Sequence, residues 1–229
     1  MLLLTNPLQI KPYLEGRTFC DGDVPLLTAA AHLPTWMGDH GARFNRYYRA
    51  YERAFERYCE TVLFPMAQEA YREALERAGA IPDWHATLQT TVSYHEGRLV
   101  SLYTDSAESG GERRIVLRRG DTWDMTSGTP LRLTDFFPPH TLVRKRILSA
   151  VRETVEREER LGLYRYLPDW SVRIRRSFNP QNFYIGEEGL TVFYQTYAIA
   201  PPQEGIPTFF LPYDDEKGPY LIRKNDPAK

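Results

Sequence analysis

The sequence predicts an α+β protein in which mainly antiparallel sheets carry two principal helices packed on them. Three observations predict it. After Asp39 the apolar residues recur every three to four positions, after Trp84 the period becomes two, and from Pro138 onward a helix and a hairpin follow one another again. Helices and hairpins arrive in blocks rather than in strand–helix alternation, which points away from a parallel, doubly wound sheet. The order suggests a helix-plus-meander half over residues 1–137 and a helix-plus-hairpin half over 138–229, which could also pack as one compact unit.

Residues 8–36 mix apolar positions with Pro and Gly and read as short strands joined by turns, with Pro34 marking a strand end or edge because it has no N–H to give a ladder. From Asp39, a plausible N-cap, Phe44, Tyr47, Tyr48, Tyr51, Phe55, Tyr58, Cys59, Val62 and Leu63 form one aromatic-rich helical face. Pro65 should kink or divide this helix, and Gly79 is placed to end its second part. Leu88, Thr90, Val92 and Tyr94 alternate with polar residues, His95-Glu96-Gly97 turns the chain, and Leu99 to Thr104 returns it. Ser109-Gly110-Gly111 reads as a loop, Arg113 to Asp124 as a third strand, and Leu131 to Thr134 as the start of another.

Beyond Pro138-Pro139, Val143, Ile147, Val151 and Val155 stand four apart on one helical face, and Gly162 supplies a stop. The polar face of this helix carries Arg144, Lys145, Arg146 and Arg152 early and Glu153, Glu156, Glu158 and Glu159 late, an order that opposes the helix dipole. Val172 to Phe178 reads as a strand that would place Arg173 and Arg175 on one face, suited to an anionic polymer. Asn182 to Ile185 and Leu190 to Tyr194 then form a hairpin, Ile206 to Tyr213 a last strand, and the tail from Asp214 is charged.

Composition bounds the function. The 229 residues are 42% hydrophobic and 13% aromatic, enough for a real core rather than disorder. Lys plus Arg number 29 against 30 Asp plus Glu, so the long-range positive field of a nucleic-acid binder is absent and no such partner is expected. No stretch of about 18 apolar residues offers a membrane span. The apolar start ends at Leu4 with no basic residue before it, unlike a secretory signal, so a cytoplasmic location is the expectation from the residues alone. Cys20 and Cys59 make neither a disulfide framework nor a CxxC pair.

The sequence carries no cofactor motif, and no catalytic residue or metal ligand is expected. His32, His40, His85, His95 and His140 form no HExxH; His85 and His95 are the only pair that a hairpin could bring together. There is no GxSxG elbow or Walker loop, and Glu187-Glu188 and Asp214-Asp215 are adjacent acids in turns. What remains is a loop rich in Tyr and Pro: Tyr194, Tyr197, Pro201, Pro202 and Gln203. Rings and prolines on a rigid turn suit an interface or a sugar-stacking surface, unless they pack a sheet corner.

Several segments in order carry a family resemblance. Trp123-Asp124, the Gly128 turn and Leu131-Arg132-Leu133-Thr134-Asp135-Phe136-Phe137 form the first, and Asn182-Phe183-Tyr184, Gly189-Leu190 and Tyr197-Ala198-Ile199-Ala200-Pro201 through Leu211-Pro212-Tyr213 the second. With Pro34, Phe44-Asn45 and the Tyr94 to Gly111 hairpin, the sequence over residues 24–213 resembles the bacterial domain shared by RsiV-type anti-sigma factors and the accessory region of PdaC-type peptidoglycan deacetylases. The sequence departs from that family where Pro202 and Gln203 stand in place of the usual Tyr and Ala, and where Ser109-Gly110-Gly111-Glu112 stands in place of a Gly-Gly-Ala-His-like loop.

The resemblance implies a binding module outside the cytoplasm, which in the anti-sigma branch recognises lysozyme, with no catalytic residues to carry over; the expectation for this chain is a non-enzymatic recognition module for a lysozyme-like protein or a cell-wall glycan. The expected binding residues are Tyr194, Tyr197, Pro201, Pro202 and Gln203, with Gly110 and Gly111 from a neighbouring loop. The alternative is a hydrolase acting on glycans or peptides through carboxylates or histidines on the sheet.

Overall fold

A computed structural model describes residues 6–111, 113–214 and 216–222. The apolar start Met1–Leu4, Glu112, Asp215 and the end of the charged tail lie outside the described residues. The chain divides into two compact units: a first containing residues up to Thr90 with 104–116 and 126–128, and a second containing 91–103, 117–125 and the chain from Thr129 onward.

In the first unit, β1 (Leu8–Asp21) and β2 (Val24–Trp36) form one long antiparallel hairpin rather than several short strands. Apolar side chains on β2 alternate toward the core, where Leu27, Ala29, Ala31 and Leu33 are buried. Pro34 lies inside β2, opposite Ile10, but two residues past His32, where pairing with the next strand ends. Its missing donor therefore falls outside that second ladder.

The helical segment begins at Ala42, and Gly41 rather than Asp39 occupies the cap. A side chain there is excluded because a Cβ on Gly41 would run into the Trp36 ring. Asp39 instead offers its carbonyl to the Trp36 indole N–H at 2.9 Å. Asn45 fastens the helix to β2 by accepting from the Trp36 N–H at 2.8 Å and donating to the Trp36 carbonyl at 2.9 Å, as a strand partner would.

Helix α1 (Ala42–Tyr58) passes through a π turn, Cys59–Leu63, into α2 (Phe64–Glu76). The π turn is the structural answer to Pro65. A proline in an α-helix clashes with the carbonyl four residues back and leaves it without a donor. Here the wider turn, with Phe64 N–H bonded to Cys59 O, re-spaces the ladder and sets Pro65 in the first turn of α2, where no donor is needed. Phe44, Tyr48, Phe55, Cys59, Leu63 and Ala67 keep one face buried across the junction. At the far end Gly79 N–H bonds Ala74 O and Ala78 N–H bonds Leu75 O, a Schellman closure. Its left-handed residue is Ala78, φ +48°, with Gly79 one position beyond.

The chain then enters β3 (Trp84–Glu96), which pairs parallel to β2 from Leu27↔Trp84 to His32↔Gln89. The long helical crossover between them makes a parallel pair possible within a mainly antiparallel sheet. β4 (Leu99–Gly110), β5 (Arg113–Asp124) and the short β6 (Thr129–Pro130) complete the order β1-β2-β3-β4-β5-β6. Ser109 and Gly110 belong to β4 and not to the loop, and the strand expected over Leu131–Thr134 is a 3-10 turn, Leu133–Phe136. Arg132 N–H donating to the Asp135 carboxylate at 2.7 Å closes that turn.

The second unit centres on α3 (Val143–Leu161), whose Val143, Ile147, Val151 and Val155 are all buried. Each contributes about 1.5–3 kcal/mol of burial. They pack with a second, antiparallel sheet of β7 (Phe183–Ile185), β8 (Gly189–Phe193) and β9 (Thr208–Pro212), through Leu190, Val192, Phe209 and Leu211. Gly162, φ +64°, ends α3 as expected.

Trp170–Arg176 forms a short helix, α4, where a strand was expected. Alternation there is weak, and Ile174 alone is fully buried while Val172 is exposed. Arg173 and Arg175 thus point in different directions, Arg173 toward Asp169 at 2.6 Å.

Candidate functional site

The Tyr- and Pro-rich loop lies in the second unit, between β8 and β9. Tyr194 leaves β8 pointing inward. It is buried rather than available to a ligand as expected of a binding residue; its hydroxyl donates to Ile174 O at 2.9 Å and its ring meets Phe209 edge-on at 5.7 Å. Burial pushes its phenol strongly upward, so it stays a neutral donor. Tyr194 anchors the loop and presents nothing to a ligand.

Further contacts hold the loop in one shape. The Gln195 amide imitates a strand partner, accepting from Arg118 N–H at 2.9 Å and donating to Arg118 O at 2.6 Å on β5. Ala198 N–H bonds Gln195 O, and Leu167 N–H donates to Ile199 O at 3.0 Å. Ile199 and Ala200 are buried, and Pro202–Glu204 makes a 3-10 turn whose last carbonyl accepts the Tyr164 hydroxyl at 2.9 Å. Burial, with Glu204 and Glu158 nearby, lifts Tyr164 to about 12, which keeps that donor protonated.

Tyr197 stands at the tip of this pinned loop. It is 60% exposed and its backbone is left-handed, φ +67°. That conformation costs a non-glycine residue about 1–2 kcal/mol, and a large ring left in solvent returns little of it. Pro201 and Pro202 are half-buried and Gln203 is exposed, so these three expected residues are at least partly accessible in the same loop.

An aromatic surface that sequence reasoning missed lies beside the loop. The Arg118 guanidinium sits 4.0 Å from the centre of the Tyr103 ring, Tyr103 packs at 4.8 Å on Tyr184, and Tyr184 at 6.2 Å on Phe193. Tyr103 and Tyr184 are half-buried, leaving part of each ring open. Alternation identifies the strands that carry these residues, but the neighbours across strands depend on register, which no single strand encodes.

The remaining expected residues fall elsewhere. Gly110 and Gly111 belong to the first unit. Gly110 is buried, and a Cβ there would collide with the Trp84 indole, so its smallness serves packing. Gly111 is exposed in the turn after β4 with φ +57°.

His85 and His95 both lie on β3 rather than on opposing arms, and His85 instead pairs with Asp83 at 2.8 Å. Glu187 and Glu188 are exposed in the β7–β8 turn. Among the described residues no cluster of three His, Cys, Asp or Glu side chains is placed to hold a metal ion, and no helix is long and apolar enough to cross a membrane. Burial raises the Cys59 thiol to about 11, away from nucleophilic chemistry.

Residues 134–214, which include the whole loop, match a family described as a protein of unknown function, DUF3298. The fold resembles the crystal structure of a DUF3298 family member from Bacteroides fragilis NCTC 9343, with 16% identity, 90% of each chain covered and a TM-score of 0.64. It also resembles a DUF3298 family protein from Pseudomonas aeruginosa PAO1, with 19% identity, 90% of each chain covered and a TM-score of 0.56. No curated protein matches the chain. The chain thus carries a DUF3298 match over residues 134–214 and shares the α+β fold of solved members of that family.

Proposed function

We propose that this protein is a non-enzymatic recognition module that binds a cell-wall glycan through the Tyr197 loop and the Tyr103–Tyr184 surface beside it. The carrying observation is Tyr197, a ring 60% exposed on a left-handed backbone in a loop pinned on both sides. A rigid loop that keeps a large ring in solvent loses little side-chain entropy when that ring is covered. Sugar rings stack on such aromatic faces, and Arg118 beside Tyr103 supplies donors for hydroxyl or carboxylate groups.

The resemblance to the RsiV-type and PdaC-type domains supports a recognition module and is in keeping with a role outside the cytoplasm. It also supports a second ligand, a lysozyme-like protein, for which an exposed tyrosine is a suitable anchor. A hydrolase would need two acids facing each other across a cleft, or a histidine with an acidic partner beside a substrate cavity. No observation at this loop favours that chemistry.

The test is retention of the purified protein on peptidoglycan fragments and on immobilised lysozyme, with Tyr197→Ala alongside. The expected result is saturable binding that the variant weakens by roughly 1–3 kcal/mol, about five- to 150-fold. Binding to neither, or binding that Tyr197→Ala leaves unchanged, would overturn the proposal.

A further inference from the structure

A second feature, apart from the loop, is a groove lined by cations. The N-terminal half of α3 and the end of α4 border a groove of about 720 Å³ in the second unit. Its walls hold Arg144, Lys145 and Arg152 from α3 and Arg175 from α4, and its described lining contains no carboxylate. Leu142, Leu148 and Ile174 make the surface between them apolar. For a protein of formal charge −1 this is a local concentration of one sign.

Two facts bear on what these cations do. Arg144 and Lys145, in the first turn of α3, oppose its dipole with no acidic residue there to offset them. Among the described residues Lys145, Arg152 and Arg175 have no ion-pair partner, while Arg144 is held in place by donating to Arg175 O at 2.8 Å. Residues that break a local rule without a compensating contact inside the fold are expected where a ligand supplies it.

We propose that this groove docks an acidic peptide segment of a partner protein, in extended form, with carboxylates flanking an apolar side chain. The apolar strip between the cations selects a peptide over a purely charged polymer. Spacing gives the motif. Arg144 and Arg152 are eight residues apart on one helix, about 12 Å along its axis. In an extended chain residues i and i+4 share a face about 13 Å apart, with i+2 between them. An acid–x–apolar–x–acid segment therefore sets its two carboxylates near the two ends of the row and its apolar side chain against Leu148.

The test is fluorescence anisotropy of the full chain with a labelled peptide Ser-Glu-Ser-Leu-Ser-Glu-Ser at low and at physiological salt. Saturable binding is expected that weakens at higher salt and falls at least tenfold in a Lys145→Gln, Arg152→Gln double variant. Arg175→Glu, on the opposite wall, should weaken it as well, with thermal melting confirming that each variant is folded. Tyr197→Ala should leave this binding unchanged, which separates it from the loop. No saturable binding, equal binding of a Gln-for-Glu peptide, or equal binding to the double variant would overturn the proposal. Displacement at matched charge by inorganic polyphosphate or by phosphatidylglycerol vesicles, as effective as unlabelled peptide, would overturn it too, by showing a surface for anions in general.

Discussion

Replacing Tyr197 by glycine and, separately, by alanine separates what the ring does from what the backbone beneath it costs. Both variants remove the same ring, so they lose the same packing from the part of the side chain that is covered. They differ at φ +67°. An alanine there keeps a left-handed penalty of about 1–2 kcal/mol, which glycine escapes. Glycine in turn loses about 0.5–1 kcal/mol more backbone entropy on folding.

The difference leaves Tyr197→Gly more stable than Tyr197→Ala by roughly 0.5–1 kcal/mol, the reverse of the usual order of the two residues. Urea denaturation of both proteins measures it directly, and in a chain of this length it corresponds to roughly 1–4 °C in melting temperature. Ligand retention, in contrast, should fall equally in both, because the ring is gone from each. Alanine proving more stable than glycine would refute the strained-backbone argument. A loss of more than about 3 kcal/mol in both would show that the ring is core rather than anchor.

Three further outcomes are expected. Gly120→Ala should destabilise the protein by about 3 kcal/mol or more, since a Cβ at this buried position would fall on the Phe183 carbonyl oxygen; chemical denaturation would show it. Lys145→Gln should do the opposite, raising stability by about 0.3–1 kcal/mol through relief of dipole repulsion at the start of α3, while lowering peptide binding at the groove. The third concerns pH. Burial lowers the pKa of His95 below its ordinary 6.5, so folding favours the neutral ring. Its contribution is therefore full above the unfolded value and is lost as pH falls from there toward the folded one; His95→Gln should flatten that part of a stability–pH curve.

Much of the framework was legible because periodicity is local. The Val143–Val155 face, the alternation after Trp84 and the stop at Gly162 each follow from side chains a few residues apart, and the structure has them. Failures came where distant groups decide. Val172–Phe178 has too few apolar residues to distinguish periods, and burial of Ile174 made it a helix. Tyr194 and Tyr197 look alike in the sequence. One is buried against Ile174 and Phe209, the other is exposed, because the pinned loop turns one ring inward and the other out. The opposed charges on α3 were legible as a local conflict, but only the packing of α4 beside it made them the wall of a groove.

Sequence by itself determined the α+β class, the order of its principal helices and hairpins, and the residues that stiffen the chain or let it turn. Hydrophobic period and the backbone limits of Pro and Gly act over a few residues, and those are written in the chain. The tertiary structure decided the parallel pairing of β2 with β3, the π turn ahead of Pro65, the stack of Arg118 on Tyr103 and Tyr184, and which tyrosine meets solvent. Each depends on register or packing between segments far apart in sequence, so its energy exists only once the chain has folded.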